Sequence, residues 1–188
     1  MPFEEYIAGV VAGEIKSDWP EEAIKAQAII ARTFVLDFIS TKGHSKYKNA
    51  HISTDIEEAQ AWSSKDINEK IRKAVKDTRG RVIVYNGKYA KTWFHSNAGG
   101  ITATAKEGLN YKWDNPPYIK VVKSPDTGSE VPAGERKWAA VFPKSKIVDA
   151  AGKSGKAIKD FSKISIGKKG PSGRAMTILL DNTEISAP

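Results

Sequence analysis

The chain has 188 residues, which is enough for one ordinary domain with a single core and too few for two full-sized domains. Hydrophobic residues make up 40% and charged residues 28%, which is typical of a folded soluble protein and excludes a collagen-like, coiled-coil or wholly disordered chain. The 30 Lys and Arg outnumber the 22 Asp and Glu, and the net charge of +8 favours an anionic partner: nucleic acid, anionic lipid or anionic wall polymer.

The sequence contains no cysteine, which excludes a disulfide, a thiolate metal site and a thiol nucleophile. No run approaches the roughly 18 uncharged apolar residues of a membrane-spanning helix. Residues 1–5 (MPFEE) lack the basic and apolar regions of a signal peptide. We therefore expect either a cytoplasmic protein or a part of a protein that lacks its export segment.

The first half of the sequence predicts three helices. Apolar residues at helical spacing indicate a first helix over about residues 3–14, and residues 17–20 (SDWP) supply a cap and a new start. The second helix is predicted from about Pro20 to Ile39. A third is predicted from about Ser64 to Lys76, and Gly80 closes it.

From residue 81 the apolar period changes to two, which is typical of strands. Residues 81–85 and 88–94 form a predicted hairpin, because Asn86-Gly87 accepts the positive φ values of a type I′ turn. The later predicted elements are a loop at 95–100, strands at 118–122, 138–142 and 163–166, a short helix at 144–151, and a hairpin turn at 169–173 before a strand at 176–180.

The order of these elements predicts the fold class. Helices come first and strands later, which favours an α+β fold over alternating βαβ units. We expect the N-terminal helices to pack on an antiparallel or mixed sheet with hairpins, in a single domain with a cleft.

Glu14 is the sharpest single feature of the sequence. Phe3, Ile7 and Val10 form one apolar helical stripe, and Glu14 places a carboxylate where the next core residue belongs. An apolar wall would raise the pKa of this acid and keep a proton available for a leaving glycosidic oxygen. The alternative is a side chain that turns to solvent or pairs with Lys16 or an arginine.

Two polar residues accompany the apolar face of the second helix. Gln27 projects inside that face, and Arg32 lies at its edge, where it could anchor an anion or orient a carboxylate. The alternatives are a structural hydrogen bond from Gln27 to a backbone group and a solvated edge charge at Arg32.

His95 and Ser96 end a strand and enter a Gly-rich loop, which is a common place for binding residues. A hydrolase triad is excluded, because the sequence has no G-x-S-x-G elbow and neighbouring strand residues point to opposite faces. The histidines show no zinc-ligand spacing, and Gly99-Gly100 match no phosphate-binding loop.

The remaining features are weak evidence for function. Trp62, Trp93, Trp113 and Trp138 could stack on sugars, but a tryptophan in a strand or loop is more often part of a core. The Lys-rich residues 153–169 contain no recognised nucleic-acid-binding module, so we interpret them as a solvated face that helps to hold an anionic polymer.

Together these residues resemble the stage II sporulation protein D and LytB family of bacterial wall enzymes. The segments that carry the resemblance follow one another in order and cover nearly the whole chain. They are residues 4–15, 19–28, 31–34, 54–62, 78–87, 94–102 and 171–174. The resemblance implies one catalytic domain over residues 1–188.

The resemblance implies a lytic transglycosylase that cleaves peptidoglycan between N-acetylmuramic acid and N-acetylglucosamine, on strands from which an amidase has removed the stem peptides. The family's catalytic acid falls on Glu14, and no cofactor or second carboxylate is implied, because the muramic 6-hydroxyl is the nucleophile. The family positions that we expect to contact the glycan are Gln27, Arg32, Gln60, His95, Ser96, Gly99 and Gly100.

The resemblance also implies a setting and partners. We expect an extracytoplasmic protein of the bacterial envelope, a partner amidase similar to stage II sporulation protein P, and no nucleic acid. The family's usual N-terminal anchor and the usual segment after residues 184–186 are absent from this sequence, so we expect a trimmed or shortened member. Membrane contact is expected only through the missing anchor. No metal is expected, since Ser53 and Ala59 stand about where some members have two zinc-binding cysteines.

Three hypotheses therefore remain at the level of the sequence. The first is a lytic transglycosylase. The second is a noncatalytic glycan-binding enhancer of an amidase, since the family includes proteins so described. The third is a basic nucleic-acid-binding domain. Glu14 on an apolar stripe favours the first over the second, because a binding module has no reason to bury an acid.

Overall fold

The computed structural model describes residues 1–128, 131, 134, 137 and 139–187. The chain divides into two compact units, Met1–Phe94 and His95–Pro188. Helices account for about 33% of the residues and strands for about 11%, so the predicted α+β class is confirmed. The predictions of one catalytic domain and of a cleft stay predictions.

The first unit consists of three helices and a hairpin. Its elements are α1 (Phe3–Glu14), α2 (Glu21–Lys42), α3 (Glu69–Asp77), β1 (Val84–Tyr85) and β2 (Lys88–Tyr89). The helices pack on one another around Ile7, Val10, Ile24, Val35 and Ile71, each at most 1% exposed. The core is thus helical, and α2 also contacts the hairpin at β2.

The helix and hairpin predictions hold in this unit with two changes. Asn86 and Gly87 both have positive φ, as the predicted turn requires, but the strands are two residues each. The third helix begins at Glu69 and not near Ser64, because the Asn68 side chain accepts a hydrogen bond from the Ile71 N–H and caps the helix there.

The second unit contains a short helix, a longer helix and a three-stranded antiparallel sheet. Its elements are α4 (Ala105–Leu109), α5 (Lys144–Lys153), β3 (Ile164–Ile166), β4 (Thr177–Leu180) and β5 (Thr183–Ser186), with sheet order β3-β4-β5. Ala151 of α5, Phe161, Leu180 and Ile185 form its buried cluster. The sheet of this unit is therefore covered by a helix from its own half of the chain.

Two predicted strands are wrong in this unit. Residues 118–122 form no strand, and an isolated bridge between Ile101 and Lys123 lies beside them. Residues 139–142 form no strand either, and Trp138 lies outside the described residues. Alternating apolar residues need a neighbouring strand to make a ladder, and periodicity alone does not reveal whether one exists.

Arg32 ties the first unit together from a position that is 1% exposed. Its Nε and Nη2 donate to the two carboxylate oxygens of Glu4, at 3.2 and 2.7 Å. The carbonyl oxygens of Ala28, Val75 and Arg81 accept its remaining bonds. All five guanidinium donors are thus used inside the protein. Arg32 is not a solvated edge charge.

Among the described residues, none of the helices combines the length and the apolar composition needed to cross a membrane.

Replacing Arg32 by lysine should lower the free energy of unfolding by about 2–4 kcal/mol, because an ammonium cannot satisfy the same buried acceptors. Arg72 offers a matched control, since its pair with Glu5 is exposed. Arg72→Lys should change the stability by less than about 0.5 kcal/mol. Urea unfolding measures both variants, and equal losses would contradict the structural role of Arg32.

Candidate active site around Glu14

Glu14 is the last residue of α1, and its side chain is half-buried. The stripe that predicted it is real at Ile7 and Val10, which are both 0% exposed. The Ala61 N–H donates to Glu14 Oε1 at 2.8 Å, whereas Oε2 receives no hydrogen bond from the described residues. Within the described part of the chain, Glu14 is therefore held by one oxygen through a backbone donor, and not by an ion pair with Lys16 or an arginine.

Two glycines of α1 allow the segment that carries Ala61 to reach the helix. A Cβ at Gly13 would lie 2.6 Å from the carbonyl carbon of Ala61, and a Cβ at Gly9 would lie 2.0 Å from Nε1 of Trp62. Both distances are shorter than any real contact of a Cβ. The Ser63 N–H also donates to the Gly9 carbonyl oxygen at 3.0 Å. Residues 60–63 therefore lie directly on a face of α1 that has no side chains.

An open pocket of about 590 Å³ adjoins Glu14. It is lined by the end of α1 and the chain beyond it, residues 12–17, and by residues 65–68. The lining is mainly polar and includes Lys16, Lys65 and Asp66. Polar side chains that line such a pocket can fix the orientation of a ligand by hydrogen bonds.

Gln27 and Gln60 are buried, with 5% and 7% of their surfaces exposed. Gln27 Nε2 and Gln60 Oε1 have no hydrogen-bond partner among the described residues. The structural bond from the Gln27 side-chain nitrogen to a backbone group is thus not found there. Buried polar atoms without a partner are uncommon in folded proteins. Their predicted contact with glycan stays a prediction.

Arg32 differs from the two glutamines because its donors are all engaged with Glu4 and with backbone carbonyl oxygens. The structure gives it a role in joining α1, α2 and the end of α3. These five bonds account for the burial of Arg32 without a ligand. Its contact with glycan stays a prediction.

His95, Ser96, Gly99 and Gly100 belong to the second unit. His95 and Ser96 are exposed. Gly99 and Gly100 have φ values of +64° and +91°, which favour glycine, and a Cβ on Gly100 would lie 2.5 Å from Thr127 Cγ2. The loop is therefore an ordered turn that depends on its glycines, and the side chains of His95 and Ser96 are exposed on it.

Asp126 holds this loop. Its carboxylate accepts from the Ala98 N–H and from the Gly100 N–H, the latter at 2.9 Å. The hydrogen bond from the Ala98 N–H lowers the pKa of Asp126 from 3.8 to about 2. Partial desolvation opposes this shift, and the bonds from Gly100 and Ser124 add to it. Sequence reasoning missed Asp126, because nothing in the linear pattern joins it to a loop 26 residues earlier.

Glu107 supports the same region from α4 and is 4% exposed. Its Oε1 accepts from the N–H and hydroxyl of Ser172, at 2.7 and 2.6 Å, and its Oε2 accepts from Thr104. Burial would raise the pKa of Glu107, but these hydrogen bonds outweigh it and hold the pKa below its ordinary value. Arg174 donates to the carbonyl oxygens of Ala98 and Ile101.

Sequence reasoning also missed α4, although a signal for it was present. Thr104 and Glu107 form a capping box, the T-x-x-E pattern that marks a helix start. The four residues of β5 gave no comparable signal, because a strand so short has too few positions for a period.

The residues before Gln60 do not fit the zinc site of some family members. Ser45 and the Lys46 N–H donate to the Glu58 carboxylate, at 2.5 and 2.6 Å, and the Tyr6 hydroxyl donates to the Ser53 carbonyl oxygen at 2.6 Å. Burial, together with the charge of Glu58, raises the pKa of Tyr6 to about 12. Hydrogen bonds therefore order this loop.

No set of three or more His, Cys, Asp or Glu side chains in the described part of the chain is arranged to hold a metal ion. Ser53 and Ala59 offer no thiolate to zinc. The donor set that those family members use is thus missing from this loop.

The first part of the chain matches a family model described as Stage II sporulation protein (SpoIID), over residues 1–85. These residues belong to the stage II sporulation protein D family. The predicted family relationship is thereby confirmed. The matched range contains Glu14, Gln27, Arg32 and Gln60, and it ends before His95.

The chain is also similar to three known proteins, one of which carries the family's name. The chain is 33% identical over 137 residues to Stage II sporulation protein D of Bacillus amyloliquefaciens, and the match covers 66% of this chain and 39% of that protein. It is 32% identical over 126 residues to a Bacillus subtilis (strain 168) protein named Amidase enhancer, and this match covers 65% of the chain and 16% of that protein. It is 29% identical over 192 aligned residues to an uncharacterized protein of Brachyspira hyodysenteriae, and this match covers 100% of the chain and 48% of that protein. The chain spans less than half the length of each of these three relatives.

Replacing Gly13 by alanine should destabilise the first unit by about 1–3 kcal/mol, because the new Cβ meets the backbone of Ala61 and Trp62. Gly152 is a matched control, since it lies in α5 and a Cβ added there would have nothing within 4 Å. Gly152→Ala should stabilise the protein by about 0.5–1 kcal/mol. Thermal unfolding separates the two, and amide exchange at Ala61 should become faster only in Gly13→Ala.

The Ala98 and Gly100 amide resonances should titrate with a midpoint near the Asp126 pKa of about 2. The folded-state pKa lies below the ordinary value of 3.8, so the stabilisation is complete above about pH 4 and is lost as the pH falls through about 2. Nuclear magnetic resonance measures both amides, and Asp126→Asn should remove the transition. A midpoint close to 3.8 would contradict the clamp.

Proposed function

We propose that the chain is the catalytic part of a lytic transglycosylase that cleaves the bond between N-acetylmuramic acid and N-acetylglucosamine in peptide-free peptidoglycan. The observation that carries the proposal is the Glu14 carboxylate, held by the Ala61 N–H beside an open polar pocket. Membership of residues 1–85 in the stage II sporulation protein D family supports it.

In the proposed reaction Glu14 begins protonated and gives its proton to the glycosidic oxygen as the bond to the muramic C1 breaks. The muramic 6-hydroxyl then attacks C1, and the Glu14 carboxylate takes the hydroxyl proton. The product is a 1,6-anhydro sugar, no water is consumed, and the acid is restored. One carboxyl group suffices, unlike the pair that ordinary glycosidases use.

The arrangement of the carboxyl group suits both proton transfers. Oε1 is fixed by the Ala61 N–H, and Oε2 is left without a hydrogen bond from the described residues. A group that both gives and takes a proton needs one oxygen free of other donors and a fixed orientation toward the reacting bond. The glycine face of α1 provides the second condition through its contact with residues 60–63.

The proposal includes a setting and partners. We place the activity in the bacterial cell envelope, with a cell-wall amidase that supplies the peptide-free strands; the relative named Amidase enhancer supports a partner of this kind. Gln27 and Gln60 of the first unit and His95, Ser96, Gly99 and Gly100 of the second are the proposed glycan contacts. We keep one catalytic domain over residues 1–188 as part of the proposal.

A second function is a noncatalytic enhancer that binds glycan and stimulates an amidase. The name of the Bacillus subtilis relative, Amidase enhancer, favours it. The two functions differ in Glu14, because a binding module has no use for its proton.

Glu14→Gln should lower turnover of peptide-free glycan by about 10²–10⁴ or more, since the amide cannot give up a proton and the same group serves in both transfers. Binding and fold should be kept, because the amide has nearly the same shape. Mass spectrometry of the digest should show anhydro-muramic ends with the unchanged protein, and far fewer from intact sacculi.

The matched control is Glu57→Gln, an exposed glutamate that does not line the pocket; it should keep wild-type turnover. The assay contains a chelator, because the proposed chemistry needs no metal. Reducing muramic ends would indicate a hydrolase. Wild-type product release by a folded Glu14→Gln protein would leave the enhancer as the better-supported function.

A further inference from the structure

The pocket beside Glu14 contains two lysines that the reaction does not use. Lys16 follows the end of α1 by two residues, and Lys65 lies in the turn before α3. Among the described residues neither ammonium group has an ion pair or a side-chain hydrogen bond. Lys25 and Lys73 of the same unit, by contrast, both pair with Glu21.

The turn that carries Lys65 is attached to α1 close to the hydrogen bond that holds Glu14. The Ser63 N–H donates to the Gly9 carbonyl oxygen at 3.0 Å, and the Ser63 hydroxyl donates to Asp66 Oδ2 at 2.6 Å. The turn that carries Lys65 is therefore closed on itself and attached to α1. Lys65, one of the residues that line the pocket, therefore lies on an attached turn and not on a free loop.

The charges of the pocket favour an anionic group at the moment of reaction. Its lining contains two ammonium groups, on Lys16 and Lys65, and two carboxyl groups, on Glu14 and Asp66. Asp66 already accepts the Ser63 hydroxyl. When Glu14 carries the proton that it must donate, the lining has one more positive than negative charge, and a bound carboxylate balances it.

The chemistry of the proposed substrate supplies such a group. Each N-acetylmuramic acid carries a lactyl side chain that ends in a carboxyl group. A stem peptide converts this carboxyl group into an uncharged amide, and removal of the peptide restores a carboxylate. A pair of ammonium groups beside the scissile bond can therefore distinguish a peptide-free strand from a peptide-bearing one by charge.

We propose that Lys16 and Lys65 bind the free lactyl carboxylate of muramic acid and determine the specificity for peptide-free glycan. This inference rests on the proposed function, because it names a feature of the same substrate. It assigns the lysines no part in the proton transfers. They select the strand, and Glu14 acts on it.

The test uses two probes: peptide-free glycan strands, and the same strands with their lactyl carboxylates converted to methylamides. Binding is measured with Glu14→Gln protein, whose neutral side chain imitates the protonated acid and prevents turnover. The parent should bind the carboxylate strands about tenfold more tightly than the methylamide strands, and added salt should reduce this preference.

Adding Lys16→Gln and Lys65→Gln together should abolish the preference and leave binding of the methylamide strands unchanged. The matched control adds Lys48→Gln and Lys88→Gln, which remove the same charge from two exposed residues outside the pocket. This control should keep the preference. Thermal unfolding verifies that each variant is folded, as expected for exposed lysines.

Three outcomes would overturn the inference: a parent that binds both probes equally, a Lys16→Gln and Lys65→Gln variant that keeps the preference, or an equal loss of preference in the control, which would show a general effect of net charge. The proposed function fails separately, if the unchanged protein releases no anhydro-muramic product. Because binding is measured without turnover, the result for the lysines is obtained in either case.

Discussion

The absence of two side chains on α1 is the constraint on which the first unit depends. Gly9 and Gly13 lie four residues apart on one helix face. In the segment of residues 60–63, the indole of Trp62 occupies the space that a side chain at Gly9 would fill, and the backbone of Ala61 and Trp62 occupies the space at Gly13. Helix and segment approach so closely that the Ala61 N–H reaches the Glu14 carboxylate and the Ser63 N–H reaches a helix carbonyl oxygen. The acid, its orientation and one wall of the pocket thus have a common cause.

Buried ionic and polar bonds hold the elements around this contact. Arg32 uses every donor of its guanidinium group to join Glu4 to carbonyl oxygens of three other segments, which positions the start of α1. In the second unit Asp126 and Glu107 do the same with carboxylates that accept backbone N–H groups. Each unit therefore orders its loops with charged groups that are hydrogen-bonded inside the protein.

In a site that uses one carboxyl group, the protein must fix the orientation of that group toward the reacting bond. No second acid divides the work of giving and taking a proton in the proposed reaction, so Glu14 must keep one oxygen anchored and one available. In the proposed strand selection, Lys16 and Lys65 contribute charge and take no part in the proton transfers. The proposed proton transfer and the proposed strand selection then both depend on residues near the end of α1.

Much of the first unit follows from local pattern. The apolar stripe of α1, the turn at Asn86-Gly87 and the acid at position 14 are all properties of neighbouring residues, and helical periods and positive-φ turns depend on little else. Tertiary structure decided the contacts between residues that are distant in sequence. These are the packing of residues 60–63 on Gly9 and Gly13, the ion pair of Arg32 with Glu4, and the hydrogen bond from the Gly100 N–H to Asp126. A carboxylate clamp has no period of its own, because its partner lies tens of residues away and is chosen by packing, and a strand of two to four residues is too short to show a period.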